Sequence, residues 1–362
     1  MDLVLQPLQR ADGIVGLCVY ADRKVGTPRF PPKSVIERHV PRGTSAFVLA
    51  PWGAGVLEYA DVVMGRIVAI VNQKGGVGKT TTAVNLAAGL AIAERPVLLV
   101  DADPQSNTTR ALGFAADPER PSLYEALVGH MTLSEVKLTS PEIPHLSVIP
   151  ADPDLVGAEV ELVDVDEREY RMRDLLVPLR SAYDFTFIDC PPSLSLLTLN
   201  ALVAADSVLV PVQCEYLALE GISALIGTVE RIRDSLNPSL EIGGVLMTMY
   251  DDRTNLAKQV VDEVRSVFGD KVFQTLIPRN VRLGEAPSYG KPIFLYDVRS
   301  KGAEAYFQLA KEFLDHEEKG IGQRTEQPDS VSARPSIGGP AATPAAPTAT
   351  GPAPAPPIAD AD

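Results

Sequence analysis

Residues 72–82, NQKGGVGKTTT, decide how this chain folds. They follow an apolar run at 67–71 and open a helical pattern that continues over 79–93. The stretch therefore lies at a turn from a strand into a helix, which is the setting that a phosphate-binding loop needs.

Each residue type in the stretch suits a polyphosphate. Gly75, Gly76 and Gly78 allow a tight turn whose backbone N–H groups face one point, and a helix that begins there adds the positive end of its dipole. Lys79 supplies a mobile charge for the β- and γ-phosphates, and the Thr80 hydroxyl can ligate Mg²⁺. A glycine-rich hinge without function could look similar, but the strand–loop–helix setting argues against it.

The match to the general pattern G-x-x-x-x-G-K-[ST] is imperfect, because Gln73 stands where the first glycine would be. The motif KGGVGKT resembles instead the deviant Walker A motif of the ParA/MinD family of ATPases. By this resemblance Lys74 reaches across a dimer to the partner's nucleotide. The resemblance assigns these residues to the nucleotide: Lys74, Gly75, Gly76, Val77, Gly78, Lys79, Thr80 and Thr81.

Composition limits the class of protein. The 362 residues can hold one large or two ordinary domains, and 45% of them are hydrophobic, enough for a sizeable core. A net charge of -14 disfavours non-specific nucleic-acid binding by the chain as a whole, so any DNA contact requires a local basic patch. The three cysteines lack metal or disulfide spacing. No apolar run reaches the roughly 18 residues of a membrane span, so we expect a cytoplasmic protein.

Three segments differ in pattern. Residues 1–63 are irregular and interrupted by proline, and we interpret Met64 as the true start of the protein, with a short regulatory arm as the alternative. Residues 64–319 form the predicted ATPase domain. Residues 320–362 are rich in proline and alanine, and we expect them to be disordered because they cannot bury enough apolar area.

Within the middle segment, apolar strands alternate with helical patterns. This alternation predicts an α/β fold, a doubly wound and mostly parallel sheet with helices on both faces, as in P-loop NTPases. The predicted strands are 67–71, 97–100, 146–149, 185–188, 207–211, 242–248 and a shorter one at 272–275. The predicted helices are 79–93, 122–128, 166–177, 193–204, 220–236, 255–268 and 302–317. An acidic helical stretch, 151–173, is typical of a solvated face.

Two predicted strands end in carboxylates. VLLVDAD places Asp101 and Asp103 at the carboxyl end of one strand, and FTFIDCPP places Asp189 at the end of another. One of these aspartates could simply cap a helix. By family resemblance, Asp103 of switch I orients the attacking water, Asp189 is the Walker B residue that holds Mg²⁺ with Thr80, and Asp101 supports the metal network. The family has glycine where Ser106 stands, and residues 191–193 resemble switch II.

The chain beyond residue 250 carries further resemblances. YDDRTNL, VRLGEAPSYGKP and SKGAEAY are similar to the chromosomal ParA (Soj) branch, which implies that Pro278 and Arg279 border the adenine. Residues 253–301 hold nine Lys or Arg against five acids, and this local basic balance makes them the candidate DNA-binding segment of an acidic chain, although a mixed solvated surface has the same composition. Arg253 and Arg282 match family positions that bind DNA without sequence preference.

The resemblance implies a DNA-partitioning ATPase for a chromosome or plasmid. ATP and Mg²⁺ form a sandwich dimer that binds duplex DNA of the nucleoid non-specifically, and a ParB-like centromere-binding partner stimulates slow hydrolysis. The alternative is a MinD-like positioning ATPase on the membrane, which requires a basic amphipathic C-terminal helix in place of this acidic tail. The chain lacks the cysteine pairs that an iron–sulfur ATPase requires and the NKxD motif that is typical of a GTPase. Residues 1–63 are too short and too interrupted by proline for a helix-turn-helix domain.

Overall fold

The computed structural model describes the backbone of residues 65–216 and 218–325, and side chains within 65–216 and 221–317. It also describes four short strands nearer the amino terminus, paired as two antiparallel hairpins: Val4–Gln9 (β1) with Val15–Tyr20 (β2), and Ala46–Leu49 (β3) with Val56–Tyr59 (β4). Met64 and residues 326–362 of the predicted tail lie outside the described residues, and the start at Met64 stays a prediction.

Seven strands form the central sheet. In chain order they are Arg66–Ile70 (β5), Val97–Asp101 (β6), Leu138–Thr139 (β7), Leu146–Ile149 (β8), Phe185–Asp189 (β9), Ser207–Gln213 (β10) and Glu241–Thr248 (β11). Their spatial order is β11-β10-β5-β9-β6-β8-β7, and all pairs are parallel except β7 with β8. The predicted mostly parallel sheet is confirmed, and β5, which leads into the glycine-rich loop, lies near its centre.

Helices connect and cover the strands. In chain order they are Lys79–Ile92 (α1), Asn107–Ala111 (α2), Leu123–Val128 (α3), Leu133–Val136 (α4), Leu155–Glu161 (α5), Arg171–Leu176 (α6), Leu196–Ala204 (α7), Ala218–Ser235 (α8), Asn255–Phe268 (α9), Val281–Glu285 (α10), Ile293–Tyr296 (α11) and Lys301–Thr325 (α12). Short 3-10 turns occupy Arg168–Tyr170, Val177–Ala182, Gly269–Lys271 and Ala286–Tyr289.

Strand β5 shows why the sheet must be covered on both faces. Ile67 and Ala69 pack into one hydrophobic cluster, and Val68 and Ile70 pack into another. Successive side chains of a strand point to opposite faces, so an uninterrupted apolar strand needs a layer of helices on each side. A hydrophobic core therefore lies on each face of the sheet, and the glycine-rich loop follows β5 between these two cores.

Two sequence predictions of local structure were wrong. The strand expected at 272–275 is a single bridge from Val272 to Val245, reinforced by the Phe273 N–H donating to the Val245 carbonyl at 3.0 Å. The single helix expected at 166–177 is a 3-10 turn, α6 and the start of a second 3-10 turn. Pro178, at the start of that second turn, cannot donate a helical hydrogen bond, which accounts for the end of α6.

Gly290 ties the carboxyl-terminal half of the fold to the segment that follows α2. Its φ of 63° lies in the left-handed region, and a Cβ at this position would stand 2.6 Å from Cα of Gly113. Gly113 itself has φ of 85°. Two backbones approach each other here at a distance that leaves no room for a side chain.

We expect Gly290→Ala to lower the free energy of unfolding by about 2–4 kcal/mol, because the added methyl group meets backbone that cannot move aside. Gly284→Ala is the matched control: Gly284 lies in α10, and a Cβ there meets nothing within 4 Å. Denaturant unfolding of both variants measures the difference. Equal stability of the two variants would contradict the close approach.

Candidate nucleotide site and its switches

The glycine-rich loop is built as a cradle. Gly76 and Gly78 have φ of 76° and 91°, conformations that side chains disfavour, and the space around Gly75 and Gly76 is open. Helix α1 begins at Lys79, directly after Gly78. The Val77 carbonyl accepts a hydrogen bond of 2.8 Å from Thr248 Oγ1, which anchors the loop to the end of β11. The loop is thus anchored to β11 on one side and open to solvent at Gly75 and Gly76, as anion binding requires.

The two lysines of the loop point in different directions. Lys79 is buried, and its Nζ donates to the Lys74 carbonyl at 3.3 Å. Lys74 extends outward with 45% of its side chain exposed, and its Nζ lies 2.8 Å from Glu215 Oε2. Lys79 therefore serves the loop of its own chain, whereas the Lys74 ammonium is accessible to another molecule.

The predicted carboxylates meet at the carboxyl ends of adjacent strands. Asp101 and Asp189 are register partners of β6 and β9. Asp189 Oδ2 accepts hydrogen bonds from Thr80 Oγ1 at 2.8 Å and from Thr108 Oγ1 at 2.7 Å. Asp101 Oδ2 accepts both the N–H and the hydroxyl of Thr109, at 2.8 and 2.7 Å. Helix α2 is therefore fastened to both carboxylates through consecutive threonines.

Neither of these two carboxyl groups forms an ion pair with a lysine or arginine among the described residues, although the Lys79 ammonium attracts Asp189 from a distance. Burial raises the pKa of Asp101 and of Asp189, and for Asp101 the neighbouring Asp189 carboxylate adds to the effect. Burial likewise lowers the pKa of Lys79, against the attraction of Asp189. Asp189 Oδ1 is buried and has no hydrogen-bond partner among the described residues.

The donor set fits Mg²⁺. The unpaired Asp189 oxygen and the Thr80 hydroxyl are hard oxygen ligands, and Mg²⁺ is commonly held by one or two protein oxygens together with substrate phosphates. The described residues contain no cluster of three or more His, Cys, Asp or Glu side chains arranged for a metal. An ion here would accordingly share its coordination with a phosphate and water. Asp101 Oδ2 is already occupied by the N–H and the hydroxyl of Thr109, so its supporting role at the metal stays a prediction.

Asp103 lies at the start of the loop that leads to α2. Its Oδ1 accepts the Gln105 N–H at 2.9 Å, and its side chain is nearly buried. Ser106 adopts φ of 49° and ψ of 35°, the left-handed conformation. A glycine would adopt this conformation without strain, so the predicted departure from the family pattern falls where the backbone does favour glycine.

Comparisons with known proteins agree with this geometry. The profile of a family described as "AAA domain" matches residues 65–242. The chromosome partitioning protein ParA of Myxococcus xanthus is 56% identical over 73% of this chain and 92% of its own length. The chromosome-partitioning ATPase Soj of Treponema pallidum is 51% identical over 69% of this chain and 98% of its own. The chain belongs to the ParA/Soj family of chromosome-partitioning ATPases.

A solved structure adds a view of a filled site in a related fold. Cobyrinic acid a,c-diamide synthase from Mycobacterium smegmatis, with bound ADP and magnesium, is 38% identical, covers 71% of this chain and 97% of its own, and superposes with a TM-score of 0.63. The predicted P-loop fold class and the ParA/Soj resemblance are confirmed. The roles of individual site residues stay predictions.

The residues predicted to border the adenine lie next to the end of β11. Tyr250, two residues beyond Thr248, forms a parallel bridge with Pro278, and its carbonyl accepts the Arg279 N–H at 3.0 Å. Because Thr248 also holds the phosphate loop, a short run of contacts connects Val77 with Pro278. In this ParA/Soj chain the two residues therefore stand at the same edge of the sheet as the loop.

The predicted DNA-binding arginines lie on the surface and are already paired. Arg253 is bonded to both carboxylate oxygens of Asp251, at 2.8 and 2.7 Å. Arg282 lies 2.8 Å from Glu285 and 3.5 Å from Asp297. The hydrogen bonds that Arg253 donates lower the pKa of the Asp251 carboxyl group to about 2. Phosphate oxygens must compete with these acids for the guanidinium groups.

Sequence reasoning missed four residues of the site: Thr108, Thr109, Glu215 and Thr248. The two threonines lie five and six residues beyond Asp103, but only the pairing of β6 with β9 shows which carboxylate each one reaches. Glu215 and Thr248 lie more than 130 residues from the loop they contact, and no local spacing identifies them. Within the described part of the chain, no helix is long and apolar enough to cross a bilayer.

Proposed function

We propose that this partitioning ATPase forms a homodimer around two ATP molecules, and that the dimer binds duplex DNA without sequence preference and hydrolyses ATP slowly. A ParB-like centromere-binding partner stimulates hydrolysis and release. The outward direction of Lys74, opposite to the buried Lys79, carries the proposal. This difference in direction supports a model in which Lys79 contacts the nucleotide of its own chain and Lys74 contacts the nucleotide of a second copy.

ATP and Mg²⁺ are the cofactors, and the reaction converts ATP and water to ADP and phosphate. The backbone N–H groups of residues 75–80 and the Lys79 ammonium hold the phosphates, and Thr80 with Asp189 would hold the cation, which neutralises the developing charge. Asp103 orients the attacking water through its carboxylate. Residues 191–193 begin two positions after Asp189, so a change at the γ-phosphate is transmitted into the chain beyond them.

The DNA-binding surface is proposed for residues 253–301, with Arg253 and Arg282 as its contacts. Nine basic residues against five acids give this segment a charge of +4 within a chain of -14. Phosphate contacts of this kind release counterions and weaken steeply with salt. Binding of this type would associate the protein with the nucleoid in the cytoplasm.

The test is binding of a labelled random-sequence duplex to the full chain with ATP, with ADP and without nucleotide. We expect binding only with ATP, and we expect Arg282→Glu to weaken it by about tenfold or more, since it places a third acid beside Glu285 and Asp297. Fluorescence anisotropy over a salt series measures both the affinity and its salt dependence.

Lys311→Glu is the matched control, because it changes the net charge equally on an exposed position of α12. Equal losses in the two variants would assign the effect to net charge and not to the proposed surface. Absence of DNA binding in every nucleotide state would reject the DNA-binding dimer. Binding to lipid vesicles in that case would favour the MinD-like alternative.

A further inference from the structure

Strand β11 ends in a one-residue irregularity beside the nucleotide site. The Ile277 N–H donates to the Met247 carbonyl at 2.9 Å, and the next bond of the same kind runs from the Arg279 N–H to the Tyr250 carbonyl at 3.0 Å. One segment advances by two residues between these bonds while the other advances by three. The extra residue lies within 248–249 and forms a β-bulge, a feature that often lies next to active sites and re-aims the chain that follows it.

Met249 adopts the conformation that makes this bulge. Its φ is 51°, in the left-handed region that residues other than Gly, Asn and Asp rarely adopt. The other non-glycine residues with positive φ, in the part of the chain that the structure describes, are polar: Glu94, Ser106 and Glu167. An apolar residue held in this conformation costs free energy, and such residues cluster at functional sites.

Thr248, directly before Met249, is fixed on two sides. Its Oγ1 donates to the Val77 carbonyl at 2.8 Å, and its own carbonyl accepts the Cys214 N–H at 3.1 Å. Its side chain also lies beside the phosphate loop, since a Cβ added to Gly78 would stand 3.8 Å from Thr248 Cγ2. Because Thr248 is held by both the loop and β10, the bulge decides where the chain after it lies relative to the loop.

The chain after the bulge leads to the predicted base border. Tyr250 bridges to Pro278, and Pro278 and Arg279 are the residues predicted to border the adenine. Without the extra residue, the backbone from Tyr250 onward would be displaced by about 3.3 Å, the rise of one strand residue. A displacement of this size breaks any hydrogen bond to a bound base.

We propose that the bulge at Met249 positions the base-binding edge relative to the phosphate loop and thereby selects ATP over GTP, with Met249 as a positioning residue. This role rests on the ATP site proposed above and is independent of the dimer and of DNA binding. The backbone conformation of Met249 performs it, and the Met249 side chain is not required.

The two purine bases give such positioning its effect. Adenine presents an amino group and a ring nitrogen acceptor, whereas guanine presents a carbonyl and a ring N–H at the same two positions. Protein groups fixed to pair with one base are left unpaired by the other, which costs binding free energy. Selection therefore requires that the base-binding edge be held at a set distance from the phosphates.

The test compares the magnesium complexes of ATP and GTP with inorganic tripolyphosphate, which carries phosphates without a base. We expect the full wild-type chain to bind ATP about tenfold or more tightly than GTP. Met249→Val should weaken ATP binding by about tenfold and leave GTP and tripolyphosphate binding within about twofold, because a β-branched side chain disfavours positive φ and depopulates the bulge. Isothermal titration calorimetry measures all three affinities.

Three further variants separate the bulge from other effects. Met249→Gly and Met249→Asn tolerate positive φ and should bind ATP within about twofold of wild type. Met131→Val is the matched control, because it makes the same substitution at an exposed residue outside the set with positive φ. Thr248→Val should weaken all three ligands alike, since it removes the hydroxyl that anchors the Val77 carbonyl and leaves the bulge in place.

Three results would overturn the positioning role. Equal losses of ATP and tripolyphosphate in Met249→Val would place the effect on the phosphate loop or on general stability. A loss in Met249→Gly equal to that in Met249→Val would assign the effect to the methionine side chain and not to the backbone. Equal affinities of the wild-type chain for ATP and GTP would remove base selection and leave the ATP site standing, whereas no ATP binding by the wild-type chain would reject the ATP site and this role with it.

Discussion

Lys74→Ala keeps the affinity for ATP within about threefold and abolishes the ATP-dependent dimer, with turnover lower by about 100-fold. The physical reason is that the Lys74 ammonium lies outside the loop, at Glu215, while the loop's own phosphate contacts come from its backbone and from the buried Lys79. On the role proposed above, removing Lys74 deletes the charge that serves the nucleotide of the second chain. Nucleotide titration and sedimentation velocity with ATP measure the two effects separately.

Two further variants make this result specific. Lys79→Ala should lose ATP binding itself, since it removes the charge inside the cradle. Glu215→Gln should retain the dimer, because it weakens the hold on Lys74 without removing the lysine. A Lys74→Ala protein that dimerises with ATP as readily as wild type would reject the role of this lysine between chains.

The sequence was sufficient for those features of the fold that depend on local pattern. Continuous apolar runs predicted β5, β6 and β9, and the carboxylates that close β6 and β9 predicted the edge of the sheet where the site lies. The sequence was insufficient for β7, which has two residues, and for the short helices α2, α4, α10 and α11, each of which has five residues or fewer. Fewer than about two helical turns carry too little periodicity to be recognised.

The site shows the same division between local and distant information. The glycines and lysines of residues 74–80 could be identified from the sequence because they act together within one short loop. The contacts of Glu215 with Lys74 and of Thr248 with Val77 join segments 141 and 171 residues apart, so they depend on how β10 and β11 pair.

Asp103→Ala separates hydrolysis from assembly in the direction opposite to Lys74→Ala. We expect it to bind ATP and to dimerise as wild type while hydrolysing ATP about 100- to 1,000-fold more slowly, because the carboxylate that we propose to orient the water is lost. Asp103→Asn is the control, since it keeps an oxygen that can accept the Gln105 N–H and so preserves the loop. Phosphate release and sedimentation with ATP test both variants. If Asp103→Asn hydrolyses ATP at the wild-type rate, Asp103 maintains the conformation of the loop and does not orient the water. If both variants are equally slow and both remain dimeric, hydrolysis requires the negative charge of Asp103. The dimer then dissociates only after ATP has been hydrolysed.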